Sequence, residues 1–263
     1  MATNSRVGAN AAKQAAAARA VHYVEDGMRI GLGSGTTASI FVRELAKAVD
    51  RNDWNVSCVS TSSNTARIAD DLGLKLVSLN EVGQLDIVVD GADEIAPEFN
   101  LLKGGGGALL QEKIVAAASE KMVVVADRTK LVESLGSFPL PVEITRFGWM
   151  STKNRLETAL GRSDVGGTNC RIRGGETSPF LTDEGNYILD LSLGWIGDPY
   201  KLDAEIQSIP GVIETGLFLD LATTLVIGLA NGDVRELRRR SFEHRKQPSA
   251  SAEERVKTGG EHV

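Results

Sequence analysis

Only two cysteines, Cys58 and Cys170, occur in 263 residues. They lie far apart and form no C-x-x-C, so free thiols in a reducing compartment are expected. Histidine is almost as scarce. There are three, and two stand beyond residue 240, which argues against a histidine-built metal site or a Ser-His triad. No apolar run reaches the ~18 residues that a membrane span needs. The first twenty residues, MATNSRVGANAAKQAAAARA, lack the apolar core of a secretory signal, so a cytoplasmic location is expected. Basic residues are in deficit, 29 against 35 acidic, for a net charge of −6. The deficit belongs to residues 1–234, with 21 basic and 30 acidic (−9), whereas residues 235–263 hold 8 and 5 (+3). An acidic body lacks the basic face that nucleic acid requires. Neither a membrane nor a nucleic acid is therefore expected as a partner. What remains is ordinary globular material, 42% hydrophobic and 24% charged, enough for one large domain or two small ones.

Glycine is the residue in excess. There are 28, and they punctuate a regular alternation. An alanine-rich helix is predicted over 10–26, stopped by Gly27. A strand follows at 28–33, a polar turn at 34–37 and an amphipathic helix at 38–49. Strands are predicted at 56–60, 74–77, 85–89 and 122–126, with helices at 65–72 and 107–121. Residues 90–103 read as a polar connection. The almost wholly apolar run 85–89 suits the centre of a parallel sheet. The fold class is α/β, a Rossmann-like doubly wound sheet. The pattern changes near Pro139. A strand at 138–144, a helix at 152–160, strands at 169–173, 180–182 and 187–191, a helix at 199–208 and a strand at 211–217 contain the β-α-β-β-α-β order of a smaller ferredoxin-like α+β unit, with one short strand besides. The expected division is 1–135 for the catalytic domain and 136–217 for a lid. A return to the first domain is expected over 218–237, where strands at 223–229 and 234–237 flank an Asn231-Gly232 turn. Residues 238–263 read as a disordered polar tail.

Three clusters carry chemistry. The first is Gly31-Leu32-Gly33-Ser34-Gly35-Thr36-Thr37-Ala38. A strand ends, small residues turn, and a helix begins, so backbone N–H groups, hydroxyls and the helix terminus all favour an anion. It is neither a G-x-G-x-x-G fingerprint, since Thr36 stands where glycine is needed, nor a Walker A loop. Taken alone it is also compatible with a tight turn and a Ser/Thr helix cap. The second is Asp90-Gly91-Ala92-Asp93-Glu94, at the ligand-facing end of an apolar strand. Gly91 permits a turn that aims Asp90 and Asp93 into one crevice, and Glu94 reads as structural. The third is Lys103 followed by four glycines, 104–107, then a helix bearing Glu112. Four glycines are costly to order, which suggests close backbone approach to a ligand. Lys103 would balance developing negative charge. The helix terminus would favour the ionised form of Glu112, as a proton-abstracting base requires. Lys13 and Lys130 are candidate phosphate cations, and His22 and Cys58 read as a helix-face residue and core filling. Together these parts fit proton abstraction next to a carbonyl in a phosphorylated sugar, with no metal and no redox cofactor implied.

The motifs GLGSGTTA (31–38), TSSN (61–64), DGADEI (90–95), KGGGGALLQEKI (103–114), FPLPVEI (138–144) and IPGVIETGLF (209–218) resemble those of type A ribose-5-phosphate isomerases, in order and over nearly the whole chain from Lys13 to Leu237. The resemblance implies interconversion of ribose 5-phosphate and ribulose 5-phosphate in the non-oxidative pentose phosphate pathway, through an enediol(ate) and without metal. It implies that Glu112 shuttles the proton, that Asp90 acts near the ring oxygen, that Asp93 is a neighbouring substrate contact, and that Lys103 with Gly104, Gly105 and Gly106 steadies substrate oxygens. Gly91 and Ala92 join Asp90 and Asp93 as substrate contacts. Ser34, Gly35, Thr36 and Thr37, with Lys13 and Lys130, would face the phosphate. A homodimer or homotetramer is implied, with contacts through the second domain. Two other classes compete with this reading. A sugar-phosphate sensor would carry a helix-turn-helix before the phosphate loop, where only one helix is predicted. A coenzyme A transferase or sugar-phosphate deaminase would use its glutamate as a nucleophile or would use a histidine.

Overall fold

The computed structural model describes residues 2–239, with side chains described from Gly8 onward. The chain opens with α1 (Ala2–Ala20), β1 (Arg29–Leu32), α2 (Gly35–Asn52), β2 (Ser57–Ser60), α3 (Ser63–Asp71) and the single turn α4 (Leu79–Val82). Then come β3 (Ile87–Asp90), the short β4 (Glu94–Ile95) and β5 (Leu101–Leu102), α5 (Leu109–Ala117) and β6 (Met122–Asp127). The remainder is β7 (Leu140–Ile144), α6 (Trp149–Leu160), β8 (Asn169–Ile172), β9 (Tyr187–Ser192), α7 (Pro199–Gln207), β10 (Val212–Thr215), β11 (Leu217–Phe218), β12 (Thr224–Gly228) and β13 (Val234–Arg238).

Six strands form the main sheet in the order β13-β12-β6-β3-β1-β2. All neighbours are parallel except the edge pair β12–β13. The central strands β3 and β6 are buried at every position, as strands covered on both faces must be. Their period-2 alternation divides the core. Ile87, Val89, Val123 and Val125 pack towards the α1–α2–α3 face, and Val88, Met122, Val124 and Ala126 towards the α5 face. The chain leaves β1 in one direction to reach β2 and in the other to reach β3. The loops after β1 and β3 therefore part, opening the crevice where doubly wound sheets bind ligands.

Helix α1 lies directly on the sheet. Ala12, Ala16, Ala17 and Ala20 are buried, and a Cβ on Gly228 of β12 would come within 1.9 Å of the Ala12 carbonyl oxygen. This close approach carries Lys13 to the crevice.

The second unit is a four-stranded antiparallel sheet, β10-β7-β9-β8, backed by α6 and α7. In chain order its strands lie 4-1-3-2, the ferredoxin-like arrangement expected from the hairpin and helix signals. Asp198 caps α7 by accepting from the Tyr200 and Lys201 amides at 3.1 and 3.0 Å, and Pro199 starts it, where a missing N–H costs nothing.

The structure departs from the sequence expectations at several places. Helix α1 spans Ala2–Ala20 and gives way to a 3-10 turn at Val21–Tyr23, rather than running over 10–26. Helix α2 begins at Gly35 rather than at residue 38, so Thr36 and Thr37 belong to its first turn. Residues 74–77 form no strand and keep a single bridge, Cys58 to Leu76. Residues 180–182 are also not a strand. The Phe180 amide reaches the Arg173 carbonyl and the Thr182 amide the Asn186 carbonyl, but no ladder continues. The polar connection 90–103 holds β4 and β5, which join β11 in a third sheet, β11-β5-β4. The tail expected over 238–263 lies outside the described residues from 240 onward. Arg238 closes β13, and the Arg239 amide donates to the Thr223 carbonyl at 2.9 Å.

Candidate active site

The crevice at the ends of β1, β3 and β6 is a cleft of about 130 Å³. Three motifs converge on it because each follows the carboxyl end of a strand: 34–37 after β1, 91–93 after β3, and 103–106 after β5. Lys13 comes from α1, Lys130 from the turn after β6, and Glu112 from α5. Asp90 does not line the cleft. It is fully buried beneath it, on the last residue of β3.

Asp90 can occupy that place because residue 33 is glycine. A Cβ there would lie 2.1 Å from Asp90 Oδ1. That oxygen accepts from the Ser34 amide at 3.0 Å and the Gly91 amide at 2.7 Å. Its other oxygen, Oδ2, lies 2.9 Å from Lys103 Nζ. The same ammonium is 3.1 Å from Glu112 Oε2 and donates to the Gly91 carbonyl at 2.7 Å. The ring of buried Phe218 lies 5.2 Å from it, within cation–π range.

Three formal charges are thus held with side chains no more than 6% exposed. Burying ions costs several kcal/mol each even after relaxation, so such a cluster is weak evidence for stability and marks a functional centre. Burial works against the Lys103 charge, but Asp90 and Glu112 outweigh it and hold its pKa above the ordinary lysine value. Burial pushes Glu112 up to about 7, with Asp90 and Asp93 adding to the rise and Lys103 opposing it. Helix polarity was expected to keep Glu112 ionised. It is the weaker effect here, because the carboxyl is buried beside two other carboxylates.

The far end of the cleft is built for an anion. Ser34 occupies the N-cap of α2 but makes no side-chain cap bond. Its hydroxyl instead contacts Thr61 Oγ1 at 2.7 Å. The first-turn amides of α2 have no partner within their own helix. Lys13 Nζ donates to Thr36 Oγ1 at 3.2 Å. Asp127 accepts from the Thr129 amide at 2.9 Å and so fixes the turn that carries Lys130. Between the two ends, Asp93 Oδ2 accepts from the Gly105 amide at 2.8 Å.

Residues singled out as structural behave so. Glu94 is buried and accepts from the Gly136 and Phe138 amides at 2.7 and 2.5 Å. Cys58 is a core residue whose thiol burial pushes up to about 12. His22 is exposed on a short 3-10 turn. The sequence reading missed the supports. Thr61 and Thr65 hold the Gly33–Ser34 loop, accepting and donating at Ser34 Oγ and Gly33 O. Thr61 lay in a quoted motif, but nothing in its spacing assigns it that contact.

The family profile described as ribose 5-phosphate isomerase A (phosphoriboisomerase A) matches residues 57–232. The chain belongs to the ribose 5-phosphate isomerase A family. Ribose-5-phosphate isomerase A of Dinoroseobacter shibae is 49% identical over 227 residues, covering 86% of this chain and 87% of that protein. The Cereibacter sphaeroides enzyme is 52% identical over 223 residues, covering 85% and 89%. Among solved structures, ribose 5-phosphate isomerase A of Methanocaldococcus jannaschii aligns with a TM-score of 0.78 at 37% identity, covering 86% of this chain and 97% of that one. A D-ribose-5-phosphate isomerase in complex with phospho-erythronic acid aligns at 0.79 and 34%, with the same coverage. The Rossmann-like sheet with its smaller ferredoxin-like unit is thus the fold of the ribose 5-phosphate isomerase A structures.

Proposed function

We propose that the cleft binds ribose 5-phosphate with its phosphate against residues 34–37, Lys13 and Lys130, and with C1 and C2 beside Glu112. The chain is an aldose-ketose isomerase interconverting D-ribose 5-phosphate and D-ribulose 5-phosphate, a step of the non-oxidative pentose phosphate pathway. The observation that carries the residue assignment is the buried Asp90–Lys103–Glu112 cluster at one end of a cleft whose other end gathers unpartnered amides, hydroxyls and lysines. Phospho-erythronic acid, held by a structural relative, is a phosphorylated four-carbon acid. Its planar carboxylate has the shape of an enediolate, and the two ends of this cleft would suit its two charges.

In the forward direction Glu112 takes the C2 proton of the open-chain aldose. With Glu112 ionised, the cluster of one cation and two carboxylates carries a net negative charge. Accepting the proton makes it neutral, so proton transfer relieves the electrostatic burden that raised the pKa. Lys103 and the amides of 104–106 stabilise the oxygen on which negative charge develops. A proton passes from the C2 hydroxyl to O1, and Glu112 returns its own proton to C1, which yields the ketose. Asp90, behind Lys103, fixes the ammonium and serves ring opening through it rather than by contact with the sugar, and Asp93 contacts a substrate hydroxyl.

The catalytic domain is assigned to 1–135 with 218–237, and the lid to 136–217. The lid also offers Phe147, 94% exposed, and Met150 as contacts for a homodimer or homotetramer, a state that sedimentation velocity reads directly. A cytoplasmic location is proposed. Among the described residues no helix is long and apolar enough to cross a membrane.

The test is incubation with ribose 5-phosphate in deuterated buffer containing EDTA, followed by NMR. The expected result is ribulose 5-phosphate carrying deuterium at C1. Folded protein that binds the sugar phosphate but forms no ketose and exchanges no hydrogen would instead favour a sensor or a transferase.

A further inference from the structure

The four glycines 104–107 are held only in part from the cleft side, where Asp93 takes the Gly105 amide, and by their own turn, in which the Gly107 amide reaches the Gly104 carbonyl at 3.0 Å. A run of glycine has more backbone freedom to lose than any other sequence, and its peptide planes must be oriented if their N–H groups are to face a substrate. A further orienting group, for the carbonyls, comes from the second unit. Arg173, just beyond β8, donates from Nη1 to the Gly104 carbonyl at 3.0 Å and to the Gly105 carbonyl at 3.2 Å. Its Nε and Nη2 are held by Asp190 of β9 at 3.0 and 2.5 Å. The side chain is 17% exposed, and its guanidinium lies 5.8 Å from the Phe180 ring centre. Phe180 in turn closes the loop's far end. A Cβ on Gly107, whose φ is +86°, would lie 2.5 Å from the Phe180 ring.

We infer that Arg173 is a positioning residue for the isomerisation. It fixes the carbonyls of residues 104 and 105 away from the cleft, so that the Gly105 amide is presented to Asp93 and the loop is set in place beside Lys103. The planar fork serves two carbonyls and one carboxylate at once, a geometry that a lysine ammonium cannot reproduce. Through this contact the second unit orders the catalytic loop of the first, although Arg173 touches no reacting atom. The inference rests on the isomerase reading of the cleft.

The test compares wild type, Arg173→Ala and Arg173→Lys by steady-state kinetics and thermal unfolding. Ethylguanidine is added to the alanine variant at a concentration that does not denature. In Arg173→Ala the expected fall in kcat is on the order of a hundredfold, the cost of displacing groups by about 1 Å at a reacting centre. KM should change far less, because the phosphate end is built from other elements. Arg173→Lys should remain impaired, and ethylguanidine should restore part of the kcat of the alanine variant. An unchanged kcat overturns the inference. So does a fall in kcat that tracks a lower Tm and resists ethylguanidine, since that marks a purely structural residue. If Arg173→Ala does not fold, Asp190→Asn decides, because it keeps the guanidinium but loosens its aim. A several-fold loss of kcat at constant KM supports the inference, and wild-type kcat overturns it. An inactive wild type removes the isomerase reading itself, whereas an active wild type with an unaffected Arg173→Ala overturns this inference alone.

Discussion

Replacing Glu112 by glutamine should change how stability depends on pH, and the size of the change follows from the site. Burial raises the Glu112 carboxyl from an ordinary 4.5 to about 7. Between those values the folded protein binds a proton that the unfolded chain does not. The contribution of this group to stability is therefore fully present below pH 4.5 and is lost as pH rises through 7. A shift of about two and a half units, at 1.36 kcal/mol each, corresponds to between about 2 and 3 kcal/mol over the interval from pH 5 to pH 8.5. Glutamine does not titrate and keeps the shape. Urea unfolding of wild type and Glu112→Gln at both pH values gives a double difference in which the titrations of groups outside the cluster cancel. The variant should gain about 2–3 kcal/mol relative to wild type on going from pH 5 to pH 8.5. The ion pair with Lys103 exists only when Glu112 is ionised, and its effect is already contained in the pKa of about 7, so it is not counted a second time. A double difference near zero would mean that Glu112 titrates normally in the fold, and the argument from burial would fail.

The same pKa sets the acid limb of catalysis. A base must be deprotonated to act, so kcat/KM should fall about tenfold per pH unit below about 7. A profile flat down to pH 5 would exclude Glu112 as the base. At the other end of the cleft, Thr37→Val should weaken binding of ribose 5-phosphate, measured by calorimetry, by roughly 1 kcal/mol, the net worth of one hydrogen bond. It should leave the isotope exchange of bound substrate nearly unaltered, and an unchanged affinity would reduce the 34–37 loop to a turn and a cap.

Much of this was legible in the sequence because the signals were local. The runs at β3 and β6 are apolar at successive positions, which only strands buried on both faces need. The change of pattern near Pro139 and the strand–helix alternation after it marked the elements of the split unit. The site motifs were readable because each stands after a strand, and the topology then gathers strand ends into one crevice. What could not be read depends on partners distant in the chain. The two-residue strands β4 and β5 have no periodicity; they pair with each other, and Leu217 and Phe218 return from a distant part of the chain to pair with β5. Helix α2 is entered through Gly35, whose φ of +87° suits glycine and strains other residues, a requirement the residue string does not display. The pKa of Glu112 turns on its burial beside Asp90 and Asp93, which a helix position does not reveal. Arg173 acts on backbone carbonyls nearly seventy residues away, so no motif announces it.

The central claim is that Glu112 moves the proton between C2 and C1. Ribose 5-phosphate in deuterated buffer with the Glu112→Gln variant tests it most directly, with deuterium at C1 and C2 followed by NMR and affinity by calorimetry. The account predicts exchange and turnover reduced by roughly 10²–10⁴-fold, the usual contribution of a positioned base, with affinity within a few-fold of wild type. Exchange at close to the wild-type rate in a variant that still binds the sugar phosphate would contradict it.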